Sequence, residues 1–199
     1  MAAEGYGFEG RPEEEKPYSC GRRLREEEFR LPFFPASSED WSIRITLMRI
    51  VEKDIWQAHA EGCTVVVPTN GAVNRRGCAI MGRGVAWQAA NRFPNLAWKL
   101  GADLKLRGNH VYHFPDWRVI TFPVKHSWME MADPDLIRRS ATELKELLER
   151  TPEISPVVMP KVGCGNGRLS WESVEPILDA CGLGDKAIIV SLKGRERRV

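Results

Sequence analysis

The chain has no excess of charge, no cysteine framework and no long apolar run, and each absence removes a class of function. Twenty-nine basic residues against 27 acidic ones leave a formal charge of +2 over 199 residues. No overall field therefore draws the protein to nucleic acid, and any such contact has to be local. The five cysteines (Cys20, Cys63, Cys78, Cys164, Cys181) are odd in number and include no C-x-x-C pair. That argues against a disulfide scaffold or a zinc site and for a reducing compartment, so neither a metal nor a cofactor is expected. Nowhere do about 18 apolar residues run together, and the N-terminus has no basic-then-apolar leader pattern. The expectation is a soluble, cytoplasmic protein with no membrane contact, monomeric by default.

What is present changes character at Trp41. Residues 1–40 mix the glutamate runs Glu13–Glu15 and Glu26–Glu28 with Arg22, Arg23 and Arg25, and carry one apolar cluster, Phe29 to Phe34. We read a charged N-terminal extension, partly ordered at most, whose phenylalanines could dock on the domain. Residues 41–193 read as one domain, and 194–199 as a basic tail. Within the domain, β-type runs at Ile43–Met48, Cys63–Val67, Val119–Phe122, Val157–Met159 and Ala187–Leu192 alternate with helical patterns at Asp54–Ala60, Gly84–Arg92, Pro134–Glu149 and Trp171–Cys181. That alternation predicts an α/β fold with a mixed, mostly parallel sheet covered on both faces. The helix at 134–149 opens with the capping pair Asp133-Pro134 and carries a core stripe at Leu136, Ile137, Leu144, Leu147 and Leu148.

Two glycine-rich turns stand out between strands and helices. The first is Gly163-Cys164-Gly165-Asn166-Gly167, three glycines in five residues, between the apolar run 156–160 and the helix start at Ser170-Trp171. The second follows Pro68-Thr69-Asn70-Gly71 and runs Met81-Gly82-Arg83-Gly84 into Val85-Ala86. Glycine admits positive φ and close backbone approach, and the free amides at a helix start favour an anion. Two such turns in a small domain suit the two ends of a diphosphate. Neither is a standard nucleotide motif: Gly82-x-Gly84 has Trp87 where a dinucleotide fingerprint has its third glycine, and no Gly-Lys-Ser/Thr follows either turn.

Between the turns lies Thr121-Phe122-Pro123-Val124-Lys125-His126-Ser127-Trp128. Its lysine and histidine close an apolar strand, at the sheet edge where α/β folds bind ligands. A lysine with an ordinary pKa near 10.4 is protonated at neutral pH; to act as a nucleophile it needs a pKa lower by about 3, at about 4 kcal/mol. Phe122, Pro123 and Trp128 are the candidate desolvating groups, and His126 or an arginine the candidate repelling cation.

Taken in order, Asp54-Ile55, Thr69-Asn70-Gly71, Met81-Gly82-Arg83-Gly84-Val85-Ala86, Phe122-Pro123-Val124-Lys125-x-x-Trp128 and Gly163-Cys164-Gly165-Asn166-Gly167-x-Leu169-x-Trp171 resemble the motifs of macro domains. The resemblance runs over residues 43–192 and is closest to the branch that holds the DarG-type antitoxins, the terminal ADP-ribose protein glycohydrolases and similar phage proteins. It implies a three-layer α/β/α sandwich that binds ADP-ribose across its sheet ends. Asp54 would then accept from the adenine amino group and the Ile55 backbone border the base. Gly82, Arg83, Gly84 and Val85 would line the pyrophosphate with Gly163, Cys164, Gly165, Asn166 and Gly167, and Asn70 would lie near the distal ribose. Lys125 falls on the lysine proposed in this branch to attack the anomeric carbon.

The chain departs from the pattern at three places. Lys53 stands where a glycine is usual before Asp54. The segment from Asn70 to Met81 is longer than in the DarG type, leaving Asn70 and Asn74 as alternatives beside the distal ribose. Gly167 stands where the protein glycohydrolase has its catalytic aspartate, while the pair Asn166-Gly167 matches the DarG type. The resemblance thus implies an ADP-ribosyl glycohydrolase acting on ADP-ribosylated DNA bases ahead of protein carboxylates, within a system that includes a cognate ADP-ribosyltransferase. The alternatives are a non-catalytic ADP-ribose-binding module and, third, an ADP-ribose 1''-phosphate phosphatase, for which the sequence offers no acid–base pair.

Overall fold

The structure, a computed structural model, describes residues 48–191; the readings for residues 1–40 and 194–199 and most of the run Ile43–Met48 fall outside that span. A six-stranded sheet is formed by β1 (Arg49–Glu52), β2 (Val65–Asn70), β3 (Tyr112–Phe114), β4 (Val119–Lys125), β5 (Val157–Pro160) and β6 (Ala187–Ser191). Their order is β1-β6-β5-β2-β4-β3, with every pairing parallel except β3 against β4. The mixed, mostly parallel sheet is as expected, and the first strand among the described residues is Arg49–Glu52.

The central strands explain themselves. β4 (VITFPVK) is buried at all seven positions and β2 at four of six, as a strand covered on both faces requires. Consecutive residues alternate between two cores. Val66, Ile120, Phe122 and Met159 face one core, shared with α4 (Pro134–Arg150) and α5 (Trp171–Ala180). Val65, Val67, Val119 and Val158 face the other, shared with α1 (Ile55–Ala60), α2 (Gly84–Arg92) and α3 (Leu96–Arg107). Helices on both faces make three layers.

Helix α4 starts where its sequence says. Asp133 accepts the Asp135 N–H at 2.9 Å and Pro134 fills the first position. Ser140, buried on the helix stripe, donates to the Pro123 carbonyl at 2.8 Å, fastening α4 to β4 near the strand's end. Leu147, expected in the stripe, is only partly buried against it. Helix α3 and strand β3 were not anticipated. No helix among the described residues is long and apolar enough to cross a membrane.

Pro123 also disturbs the pairing of β2 with β4. A proline has no N–H for the ladder, and one step beyond it the register shifts: Thr69 pairs with Pro123, but Asn70 pairs with Lys125. A bulge of this kind re-aims side chains. Here it sets Asn70 next to Lys125 at the carboxyl end of the sheet.

Candidate functional site

The segments after β1, β2, β4 and β5 all leave the same end of the parallel sheet, and among them they carry every residue singled out by sequence. Lys125 is the last residue of β4 and is only 8% exposed. Its Nζ donates to the Asn166 carbonyl at 2.6 Å. Since β2 lies between β4 and β5, the side chain reaches across the end of β2 to the glycine loop that follows β5. Burial pulls the Lys125 pKa down, Arg168 and Arg83 repel its proton further, and Glu130 opposes them.

The sources of that shift correct the sequence reading in part. Phe122 is fully buried, whereas Trp128 is 56% exposed. His126 lies in solvent, paired with Asp133 at 3.0 Å. The repelling cations are the two arginines, neither of which has a salt-bridge partner among the described residues. Sequence reasoning missed Arg168. Its signal was a cation placed directly after a glycine run, and it takes the left-handed φ of 64° that a non-glycine residue rarely adopts.

The two glycine turns meet. Gly84 has φ 59°, and a Cβ there would lie 3.4 Å from the Asn166 Nδ2, so the turn after β2 packs on the loop after β5. The glycines divide by role. Gly163 has φ 74° and is packed under Ile137, 3.0 Å from where its Cβ would be; a Cβ on Gly167 would overlap the Gly163 carbonyl and lie 2.8 Å from the Ala132 side chain. These two shape the loop. Among the described residues, nothing lies within 4 Å of a Cβ built on Gly82 or Gly165. The N–H groups of Gly165 and Asn166 have no acceptor among the described residues, and Arg83 begins α2 with no side-chain cap. Free amides and an uncapped helix start, with arginines nearby, make a receptive place for an anionic group. Cys164 contributes backbone only: burial pushes its thiol up to about 11, and its Sγ donates to the Val162 carbonyl at 3.3 Å. Val85 is partly buried against the α1–α3 core.

Asn70 lies beside Lys125 with its amide engaged at both ends, accepting from the Ala72 N–H at 3.0 Å and donating to the Ile80 carbonyl at 2.8 Å. It holds the base of the long 71–80 segment. Asn74 is exposed, its oxygen taking the N–H groups of Arg76 and Cys78 at 2.9 and 3.1 Å to build a turn. Asn109, a second residue missed by sequence, donates to the Lys125 carbonyl at 2.9 Å. It does so in a space that only a glycine at position 71 leaves open, since a Cβ there would lie 2.8 Å from the Asn109 Cγ. Arg139 in turn donates to the Asn109 carbonyl. Asn109 follows the α3 cap at Gly108, and the pair looks like an ordinary turn in sequence.

Asp54 and Ile55 sit at the end of β1, four strands along from β4, about 19 Å away at ~4.8 Å per strand. Asp54 caps α1 through Oδ1, which accepts the Trp56 and Gln57 N–H groups at 2.8 and 3.1 Å; its Oδ2 has no partner among the described residues. Lys53 pairs with Glu61 instead of pointing along the strand ends. No group of three or more His, Cys, Asp or Glu residues among those described could hold a metal.

No family profile matches the chain. Two curated relatives, DNA ADP-ribosyl glycohydrolases of Mycobacterium tuberculosis and Mycobacterium bovis, are each 30% identical over 135 residues. That match takes in 59% of this chain and 36% of theirs, so the chain spans about a third of the length of these relatives. Among solved structures, the macrodomain of Mycobacterium tuberculosis DarG superposes with a TM-score of 0.59 at 24% identity, over 72% of this chain and 97% of that one. The Thermus aquaticus DarG macrodomain gives 0.55 at 22%, over 72% and 97%. Thermosipho africanus DarTG in complex with ADP-ribose gives 0.60 at 20%, over 79% and 44%.

Proposed function

We propose that this chain, whose fold is that of the macro domains, binds ADP-ribose across its strand ends and hydrolyses the bond joining it to a macromolecule, with a DNA base as the preferred partner in that bond. The observation that carries the reading is Lys125: a buried amine held to the glycine loop, with two arginines that have no salt-bridge partner among the described residues lowering its affinity for a proton. The likeness to proteins named DNA ADP-ribosyl glycohydrolase supports it.

In this reading the pyrophosphate takes the free amides of Gly165 and Asn166 and the start of α2 at Gly82–Gly84, with Arg83 opposite its charge. The adenine lies toward Asp54 Oδ2 and Ile55, and the distal ribose toward Asn70 and Lys125. Neutral Lys125 attacks the anomeric carbon; the Nζ–carbon bond forms as the bond to the base breaks, and the base leaves with the electron pair and takes up a proton. Water then adds at the same carbon, releasing ADP-ribose and restoring the amine. Gly167 favours the DNA substrate: no side chain fits at this position on this backbone, so the loop offers no carboxylate there for deglycosylating a protein. The reading also implies a DNA ADP-ribosyltransferase upstream to make the substrate.

The test incubates the protein with ADP-ribosylated single-stranded DNA and with ADP-ribosylated protein. The expected result is release from DNA, falling at least about 100-fold in Lys125→Ala, the scale of losing a group that acts on the reacting atoms, while ADP-ribose binding persists. Release from neither substrate by the unmodified protein, with ADP-ribose still bound, would make it a non-catalytic binding module. Full activity in Lys125→Ala would dismiss the lysine as nucleophile.

A further inference from the structure

The loop between β4 and α4, residues 126–133, is anchored at both ends and apolar at its tip. Asp133 holds His126, its N–H donates to the Val124 carbonyl at 2.9 Å, and the Ser127 N–H donates to Glu130 at 3.1 Å. The Ala132 N–H donates to the Gly167 carbonyl at 2.9 Å, fastening this loop to the glycine loop. Yet Trp128 is 56% exposed, Met129 72% and Met131 53%. Three large apolar side chains in the four residues 128–131, on a braced loop beginning one residue after Lys125, are not loose ends. Exposed Arg168 stands on the adjoining loop, with no salt-bridge partner among the described residues.

We infer that Trp128, with Met129 and Met131, forms a stacking platform for the single-stranded DNA that carries the ADP-ribose, the bases lying on the indole and the backbone phosphates toward Arg168. This rests on the proposed function and names how the same site holds the rest of its substrate. The chemistry favours nucleic acid. Stacking on an aromatic face beside a cation is the sequence-tolerant mode of single-strand binding, and methionine adapts to surfaces of varied shape. Charge complementarity points the same way, because Arg168 and Arg83, the cations that act on Lys125, have no salt-bridge partner among the described residues. In this arrangement the leaving base sits between Lys125 and the platform.

The experiment compares Trp128→Ala, Trp128→Phe and the unaltered platform, all in a Lys125→Ala background that keeps the substrate intact. Affinities are measured for a labelled ADP-ribosylated single-stranded oligonucleotide, an ADP-ribosylated peptide and free ADP-ribose. Trp128→Ala should weaken the oligonucleotide about tenfold, the value of one stacked base, and leave free ADP-ribose unchanged, with Trp128→Phe restoring most of the loss. Equal affinity for the oligonucleotide with and without Trp128, a loss of the same size with free ADP-ribose, or a loss confined to the peptide would each overturn the platform. Hydrolysis by the protein with Lys125 intact is scored separately, so a protein that binds in this pattern but releases nothing keeps the platform and loses the enzyme.

Discussion

A protonated Lys125 burdens the fold that holds it. Its folded pKa lies below the ordinary 10.5 through burial and then through Arg168 and Arg83. The unfolded chain therefore binds the proton more readily, and stability rises with pH between the two values. The destabilisation is complete below the folded pKa and fades as pH climbs through it toward the ordinary value. Lys125→Met should therefore melt higher than the parent at pH 7, with the gap narrowing at pH 10, while release of ADP-ribose is lost; equal melting temperatures at pH 7 would show that the amine is well solvated. That Lys125 closes an apolar strand was readable in the sequence. Its surroundings were not, because the direction of a side chain is set by the pleat and by the loop that follows: Trp128 is three residues away in sequence and mostly exposed, whereas Arg168 is 43 positions away and repels the proton of the amine.

At the level of elements, the strands and helices with unbroken patterns were legible, and those with a competing local signal were not. β2, β4 and α4 declare themselves through continuous apolar burial or a capped stripe. Helix α3 does carry a stripe at Leu96, Leu100 and Leu104, but Gly101 interrupts it and argues against a helix. The glycine is there because the 77–79 segment crosses it: a Cβ would overlap the Gly77 carbonyl and lie 2.8 Å from the Ala79 nitrogen. Strand β3 has only three residues and is recognised by its partner β4, not by its own pattern. In the glycine loop, sequence sees equivalent glycines where the fold makes two kinds. Gly167→Ala should cost about 1–3 kcal/mol, as an overpacked site does, because backbone must move to admit it. Gly165→Val should leave the melting temperature nearly unchanged and abolish ADP-ribose binding, since its side chain enters open space where the pyrophosphate is proposed to sit. Calorimetry and thermal melts on the pair would separate these effects, and intact binding in Gly165→Val would move the pyrophosphate off this loop.

Across the whole molecule, the site is a property of sheet order. β1 and β4 are remote in the sheet, yet Asp54 and Lys125 mark the two ends of one row of strand ends, and only the order β1-β6-β5-β2-β4 puts the glycine loop and Asn70 between them. A ligand that fills this row ties together segments from four strands, and so binds the folded state alone. At about 100 times its dissociation constant, ADP-ribose should stabilise the protein by about 2.7 kcal/mol, or about 5–10 °C for a chain of this size. Asp54→Asn tests whether the ligand reaches the far end. Asparagine caps a helix about as well as aspartate, so α1 and the unliganded melting temperature should hold, while exchanging the free carboxylate oxygen for an amide weakens acceptance from the adenine amino group. The ADP-ribose shift should then shrink in Asp54→Asn, and a shift from ribose 5-phosphate, which lacks adenine, should be the same in both proteins. If Asp54→Asn leaves the ADP-ribose shift intact, the ligand ends short of β1 and the adenine lies elsewhere along the sheet.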